Sequence, residues 1–300
     1  MLSSSPCDNI SSNSVLHPMN AKEIVAKVTN LPVVPAATVR LLQLLENPHE
    51  NTQAALDVIQ TDAVLSAKLL RLCNSAAIGL RKPVASVEQA VFFLGFSEVQ
   101  RLALALGLGG SLKRKSTGNE SDGIELWRHA VLTGHAASLI AEEAQGMDVH
   151  PSVAFTAGLM HDIGKLVLAE VATPELSDAV RAKMDAGKSR CDAERAIFGA
   201  DHAEVGGALL EAWRMPPALI EPVANHHSPI IKPEPLLSVL VHLANCVAHQ
   251  IGTAPGWDVF ATFVNQEAAA SVDFGAQQLA QVIETLGEQM KKVDQFAAAA

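Results

Sequence analysis

The densest chemistry in the chain lies in His161-Asp162-Ile163-Gly164-Lys165. An imidazole beside a carboxylate offers nitrogen and oxygen donors that suit a borderline or hard divalent metal: iron, manganese, zinc or magnesium. On a continuous helix adjacent side chains point about 100° apart, so the two cannot share a face. They converge on one ion only where the helix ends, and Gly164 marks such a break.

Eleven histidines are present, and His129, His135, His202, His226, His227 and His242 flank this pair. His129 falls on one stripe with Leu132, Ala136, Leu139 and Ile140. Taken alone, a histidine on an apolar stripe is usually a core residue whose ring finds a hydrogen-bond partner. The His-Asp pair that follows raises its reading as a ligand. His135 falls off the stripe, beside Val131 and Glu142, and reads as a supporting or surface residue. Asp201 is a good N-cap for the helix that carries His202. His226 and His227 close another helix before Ser228-Pro229, where the helix dipole favours them. Each of these has an ordinary structural explanation; the ordered set is harder to explain that way.

The elements that must position these residues are helices. Ala and Leu dominate the apolar content, both are strong helix formers, and the chain has no tyrosine and only 4% aromatics. The spacing predicts helices over Ala21–Thr29, Ala36–Leu45, Thr52–Gln60 and Ala63–Asn74. Ser86 with Gln89, and Ser97 with Gln100, match capping boxes for two more, running to about Leu94 and Leu112. Residues 113–123, KRKSTGNESDG, form a polar linker. Beyond it, helices are predicted at Ile124–Gln145, from Pro151 to the His-Asp pair, and near Glu175–Ala186, Arg190–Phe198, Ala203–Arg214, Pro217–His226, Pro235–Ile251 and Gly275–Gln295. No segment alternates as a strand does. The fold class is all-α. Residues 1–20 read as a disordered arm, and Ala297–Ala300 as a fraying end.

Composition narrows the function. Hydrophobic residues make up 49% of the 300, enough for a large core, and the net charge is −10. An acidic balance disfavours nonspecific nucleic-acid binding, and Lys113-Arg114-Lys115 reads as a solvated part of the linker. Cys7, Cys73, Cys191 and Cys246 are widely spaced and form no zinc ribbon; Cys73 and Cys246 read as buried thiols. There is no signal-peptide pattern and no run long enough to span a bilayer, so a cytoplasmic location without membrane contact is expected. Arg71 with Asn74-Ser75 reads as a helix-end cap, with a small polar site as the alternative.

These motifs in this order resemble the HD superfamily of metal-dependent phosphohydrolases, and most of all its HDOD branch, the HD-related output domain. The resemblance spans about Ala21 to Ile251. In the first half it rests on Leu31-Pro-Val-Val-Pro35, Asp62-Ala-Val-Leu-Ser-Ala-Lys-Leu-Leu-Arg-Leu-Cys-Asn-Ser75 and Val87-Glu-Gln-Ala-Val-Phe-Phe-Leu-Gly95. In the second it rests on Trp127-Arg-His129, the His161 motif, Gly199-Ala-Asp-His202-Ala-Glu-Val-Gly206 and Val241-His-Leu-Ala-Asn245.

The resemblance implies a multi-helical HD-like core, residues 124–252, preceded by an N-terminal helical subdomain, 21–112, and followed by a helical extension, 253–300. It implies a divalent-metal site made of His129, His161 and Asp162. His202, His226 and His227 match the extra histidines of two-metal members, and Lys165 matches a lysine that contacts phosphate or nearby acids. Asn245 stands where the last ligand of the enzymes is an aspartate. The exchange keeps one oxygen donor and removes a charge, which weakens metal-assisted hydrolysis. The Gly-Tyr-Pro that marks cyclic-dinucleotide hydrolases is missing after His226-His227. The expected function is therefore a non-catalytic, bacterial-type signal-transduction regulator that keeps its metal site and acts through contacts with a signalling protein, with a homodimer allowed. The alternative is a metal-dependent phosphohydrolase acting on a nucleotide or phosphate ester, with Lys165 steadying the phosphate. A scaffold with relic histidines is the third reading.

Overall fold

The computed structural model describes residues 19–28, 34–46, 51–76, 78–112, 120–143, 149–229, 231, 236–251, 264–272 and 276–299. Most of the N-terminal arm, the Asn30-Leu31-Pro32 break and the Lys113-Arg114-Lys115 cluster lie outside them. The described residues contain helices and no strand. In the first half these are α1 (Ala21–Lys27), α2 (Ala36–Gln43), α3 (Thr52–Thr61), α4 (Ala63–Cys73), α5 (Val87–Leu94) and α6 (Phe96–Leu112). The second half holds α7 (Glu120–Glu143), α8 (Pro151–Met160), α9 (Gly164–Val171), α10 (Pro174–Asp185), α11 (Arg190–Phe198), α12 (His202–Ala212), α13 (Pro217–Asn225) and α14 (Leu237–Gln250). Two more, α15 (Gln266–Ser271) and α16 (Ala276–Ala299), follow.

Side chains that satisfy the first free N–H groups start many of these helices. Asn20 with Glu23 and Asp201 with Glu204 form full capping boxes. Asp62 caps α4, Ser86 caps α5 and Ser189 caps α11. Ser97 does not cap α6. The helix already starts at Phe96, directly after Gly95, whose φ of 82° ends α5 in the left-handed region. The polar stretch before Ile124 likewise turns helical at Glu120. At the other end α16 runs to Ala299, so residues 297–299 are helical where fraying was expected, and Ala300 lies outside the described residues.

Helices α2 to α6 pack on one another, and α6 carries that group onto α7 and α8. Helix α7 is the axis of the second half, lying against α8, α14 and α16. Helix α1 packs on α9 and α12, and Met19 N–H donates to Phe198 O at 3.1 Å. The core is aliphatic, with Leu41, Leu69, Leu108, Leu132, Ile140 and Leu159 fully buried. Each such side chain contributes about 1.5–3 kcal/mol on transfer from water.

Two close approaches set the geometry of the centre. A Cβ on Gly158 would sit 2.8 Å from Thr133 O and 2.9 Å from Gly134 Cα, so α7 and α8 meet backbone to backbone. A Cβ on Gly164 would collide with the carbonyl oxygen of His202 and lie 2.6 Å from Gly206 N. Only glycine lets α9 seat against α12 and bring Asp162 beside His202.

Candidate metal centre

Helix α8 ends at Met160, and His161 is its C-cap. It opens the three-residue turn His161-Asp162-Ile163 that leads into α9. This break is what lets the adjacent His161 and Asp162 face one point. Around them, α7 supplies His129, the first turn of α12 supplies His202, the end of α13 supplies His226, and α14 supplies Asn245. His129, His161, Asp162, His202, His226 and Asn245 are each at most 2% exposed.

Asp162 is the hub. Its Oδ2 lies 3.2 Å from His161 Nε2 and 3.8 Å from His129 Nε2. Its Oδ1 lies 3.3 Å from His202 Nε2 and 3.8 Å from His226 Nε2. Two ligand-like groups result, His129–His161–Asp162 and Asp162–His202–His226, each with donor atoms within 4.8 Å of one another. They share Asp162, one group on each carboxylate oxygen.

The fit to a metal rests on where the imidazole protons must be. His161 Nδ1 is 2.7 Å from Gly158 O, and His226 Nδ1 is 2.8 Å from Val223 O. A carbonyl only accepts, so both Nδ1 atoms donate, which leaves Nε2 as the nitrogen of each ring that can offer a lone pair. Both Nε2 atoms are buried and make no hydrogen bond. A buried, unmet lone pair is costly in protein alone, and it is what a metal ligand needs. His202 has the same orientation through a carboxylate: its Nδ1 is 2.6 Å from Glu194 Oε2. Glu194 also accepts from the His202 backbone N–H at 2.9 Å and from Arg190 Nε at 2.7 Å.

Electrostatics separate the histidines. Burial, reinforced by neighbouring imidazoles, holds His129, His226 and His227 well below the usual histidine range, so they stay neutral. Burial also opposes charge on His202, but Glu194 and Asp162 outweigh it and raise the pKa to about 9. Burial would push Asp162 up, yet His161 and Lys165 beside it hold it well below the normal range. Glu194 is buried too, and His202 and Arg190 lower it to about 2.

The remaining expected residues fall in different places. Lys165 is 7% exposed and gives Asp162 Oδ2 a 2.8 Å ion pair. Asn245 Oδ1 is 2.9 Å from His129 Nε2; an amide holds both an acceptor and a donor, so this contact suits either tautomer of His129. His227 reaches His202 Nε2 at 2.9 Å and groups with Cys191 instead of Asp162. Burial, with Asp201 and Glu194 nearby, pushes the Cys191 thiol far up, which works against a thiolate ligand there. Cys73 and Cys246 are buried free thiols. His242 Nδ1 donates to His226 O at 2.8 Å and so braces the loop that carries the site histidines. His135 is neither at the site nor on the surface; it is buried with its ring 5.1 Å from that of Phe155. Glu194 and Arg190 were missed from sequence, as was His249, whose ring lies 4.6 Å from that of His129. The signal available for Glu194 was its place eight residues before His202, across the Gly199 break.

Comparisons with known proteins give the chain's family and fold relatives. The HDOD domain profile matches residues 31–229. An uncharacterized protein of Treponema pallidum is 28% identical over 241 residues, covering 78% of this chain and 45% of its own length. The chain therefore spans less than half of that relative. A crystal structure from Shewanella amazonensis, provisionally named a phosphohydrolase, is 26% identical with a TM-score of 0.69, over 93% of this chain and 100% of that one. One from Marinobacter aquaeolei, provisionally named a signal transduction protein, is 25% identical with a TM-score of 0.72, over 89% and 59%. The chain belongs to the HDOD domain family.

Proposed function

We propose that the protein is a regulatory HDOD module that holds a divalent metal in a closed site and passes its signal on through protein contacts, without hydrolysing a substrate. The observation that carries this reading is the burial of the residues gathered around Asp162: His129, His161, Asp162, His202, His226 and Asn245 are each at most 2% exposed. A catalytic metal needs an open coordination position that substrate can reach, whereas a structural one is enclosed. Asn245 points the same way, since only Asp162 then brings a negative charge to the donor set. The metal could be held by His129, His161 and Asp162, and a second by Asp162, His202 and His226. When bound, it would supply two positive charges that replace the role Lys165 now plays beside Asp162. Glu194 would fix the His202 ring, and the carbonyls of Gly158 and Val223 would fix His161 and His226.

Output through protein contacts is supported by the first half. Phe92 and Phe93 on α5 are 82% and 52% exposed, and Val64 on α4 is 66% exposed. Among the described residues these are the most exposed large apolar side chains, and none lies in the metal-site half. No helix of the described residues is long and apolar enough to cross a membrane. The Marinobacter aquaeolei structure's name lends the signalling reading further support.

The second reading is a metal-dependent phosphohydrolase of a nucleotide or phosphate ester. The Shewanella amazonensis structure's name and the Asp162–Lys165 pair favour it. Purified protein incubated with manganese or iron and a panel of nucleotides and phosphate esters separates the two. No turnover is expected. Turnover that Asp162→Ala abolishes would overturn the regulatory reading.

A further inference from the structure

Where the two halves of the molecule meet, α4 and α6 face α7 and α8 across a cavity of about 100 Å³. One water needs some 10–15 Å³ of such space, so there is room for a small organic molecule. Its walls are of two kinds. Leu72, Leu102, Trp127 and Phe155 make an apolar surface, and Lys68, Arg71, Ser75 and Arg101 bring polar groups to the same space.

Two of those groups are buried without a hydrogen bond. Ser75 Oγ makes no hydrogen bond, and neither does Arg101 Nε, which has only an ion pair with Glu98. Arg101 is otherwise engaged: Nη1 donates to Ser138 Oγ at 3.0 Å and lies 3.9 Å from Glu142 Oε1, while the carboxylate nearest Nε, Glu98 Oε2, is 3.5 Å away. An unmet buried donor costs about 1–3 kcal/mol, more when charged. Here two such groups line one cavity, beside two further cationic side chains from α4. Asn74 is the C-cap of α4, as expected of this helix end, with its backbone N–H on Leu70 O at 3.0 Å, and its side chain also clasps the N–H and carbonyl of Val84, at 2.7 and 2.8 Å. That clasp holds the end of α4 in place and leaves Ser75 to the cavity.

Cationic side chains and donors without a hydrogen bond suit an oxyanion, and the aromatic and aliphatic lining suits an apolar body. We propose that this cavity is a binding site for a small amphiphilic anion, its carboxylate or phosphate-ester head held by Arg71, Ser75 and Arg101 and its body packed on Leu72, Trp127 and Phe155. The site is built without any of the candidate metal ligands, so it stands apart from the function proposed above. It nevertheless touches both halves, because Trp127 and His129 share α7.

Calorimetric titration with benzoate and phenyl phosphate tests the proposal, with inorganic phosphate and benzyl alcohol as the head and body alone. Both aromatic anions should bind, each more tightly than the matching fragment. The double variant Lys68→Ala, Arg71→Ala, changed at exposed positions, should weaken both at least about tenfold, the loss of one charge-assisted hydrogen bond. In a parallel NMR titration the indole N–H signal of Trp127, identified by elimination with Trp213→Phe and Trp257→Phe, should shift. The proposal is overturned if neither aromatic anion binds at millimolar concentration. It also fails if inorganic phosphate binds as tightly as phenyl phosphate, or benzyl alcohol as tightly as benzoate. Unchanged affinity in the double variant, or a Trp127 signal that does not move, would place any binding elsewhere and equally overturn it.

Discussion

Replacing Glu194 by glutamine probes how the metal centre is held. Glu194 Oε2 accepts from both the backbone N–H and Nδ1 of His202, and Oε1 accepts from Arg190 Nε. Glutamine has one oxygen and one NH₂ for three donors. If the NH₂ faces Arg190, two donors oppose each other in a buried site. If it faces His202, it opposes the backbone N–H and drives the ring proton from Nδ1 to Nε2, away from the metal-binding tautomer. Either way a buried donor is left unmet, at a cost of about 1–3 kcal/mol. Loss of such an outer partner typically weakens metal binding by roughly 10- to 100-fold. Glu194→Gln should therefore lower the melting temperature of the metal-free protein by several degrees and weaken manganese binding, followed by calorimetry, by at least about tenfold. A variant that folds like the native chain and binds manganese as tightly would refute the assignment of Glu194 as the residue that orients His202.

Three further outcomes are expected. Asn245→Asp adds a second buried carboxylate to the donor set, beside His129, so it should tighten metal binding by about tenfold or more and make the protein less stable in chelator, since two buried carboxylates then repel; comparing calorimetric titrations and melting curves checks both. Gly164→Ala places a methyl against the His202 carbonyl, and urea unfolding should show a loss of about 3 kcal/mol or more, or no folded protein. In the metal-free protein His202 is raised from 6.5 to about 9. Its stabilising contribution is complete below about pH 6.5 and is lost as pH rises through about 9, so melting temperatures taken across that window should decline, and the decline should flatten in Glu194→Gln.

Much of the site was legible because its residues sit at breaks. Gly164, the Asp201 cap and the Ser228-Pro229 turn all mark helix ends, and helix ends are where His161, His202 and His226 converge on Asp162. His129 was legible from its stripe. His227 was not resolved from His226, because adjacent residues at a helix end can diverge as readily as converge; here it turns to His202. Helix α9 was missed because it opens on a glycine with no side-chain cap, which in sequence looks only like an end. Glu194 was hidden because an acid four residues after Arg190 reads as an exposed helical pair. The burial of His135 was hidden because α7 is enclosed nearly all round between Leu126 and Ala141, and a helix without a polar face has no periodicity to read.

The proposed role of Asp162 and the histidines around it is to hold a divalent metal. Metal analysis of the purified protein, with melting curves before and after chelation and after reloading with manganese, iron or zinc, tests it most directly. One or two equivalents of metal are expected, with a melting temperature that falls on chelation and recovers on reloading, and with both effects lost in His161→Ala. Protein that takes up no metal after reloading, and melts at the same temperature with and without chelator, would contradict it.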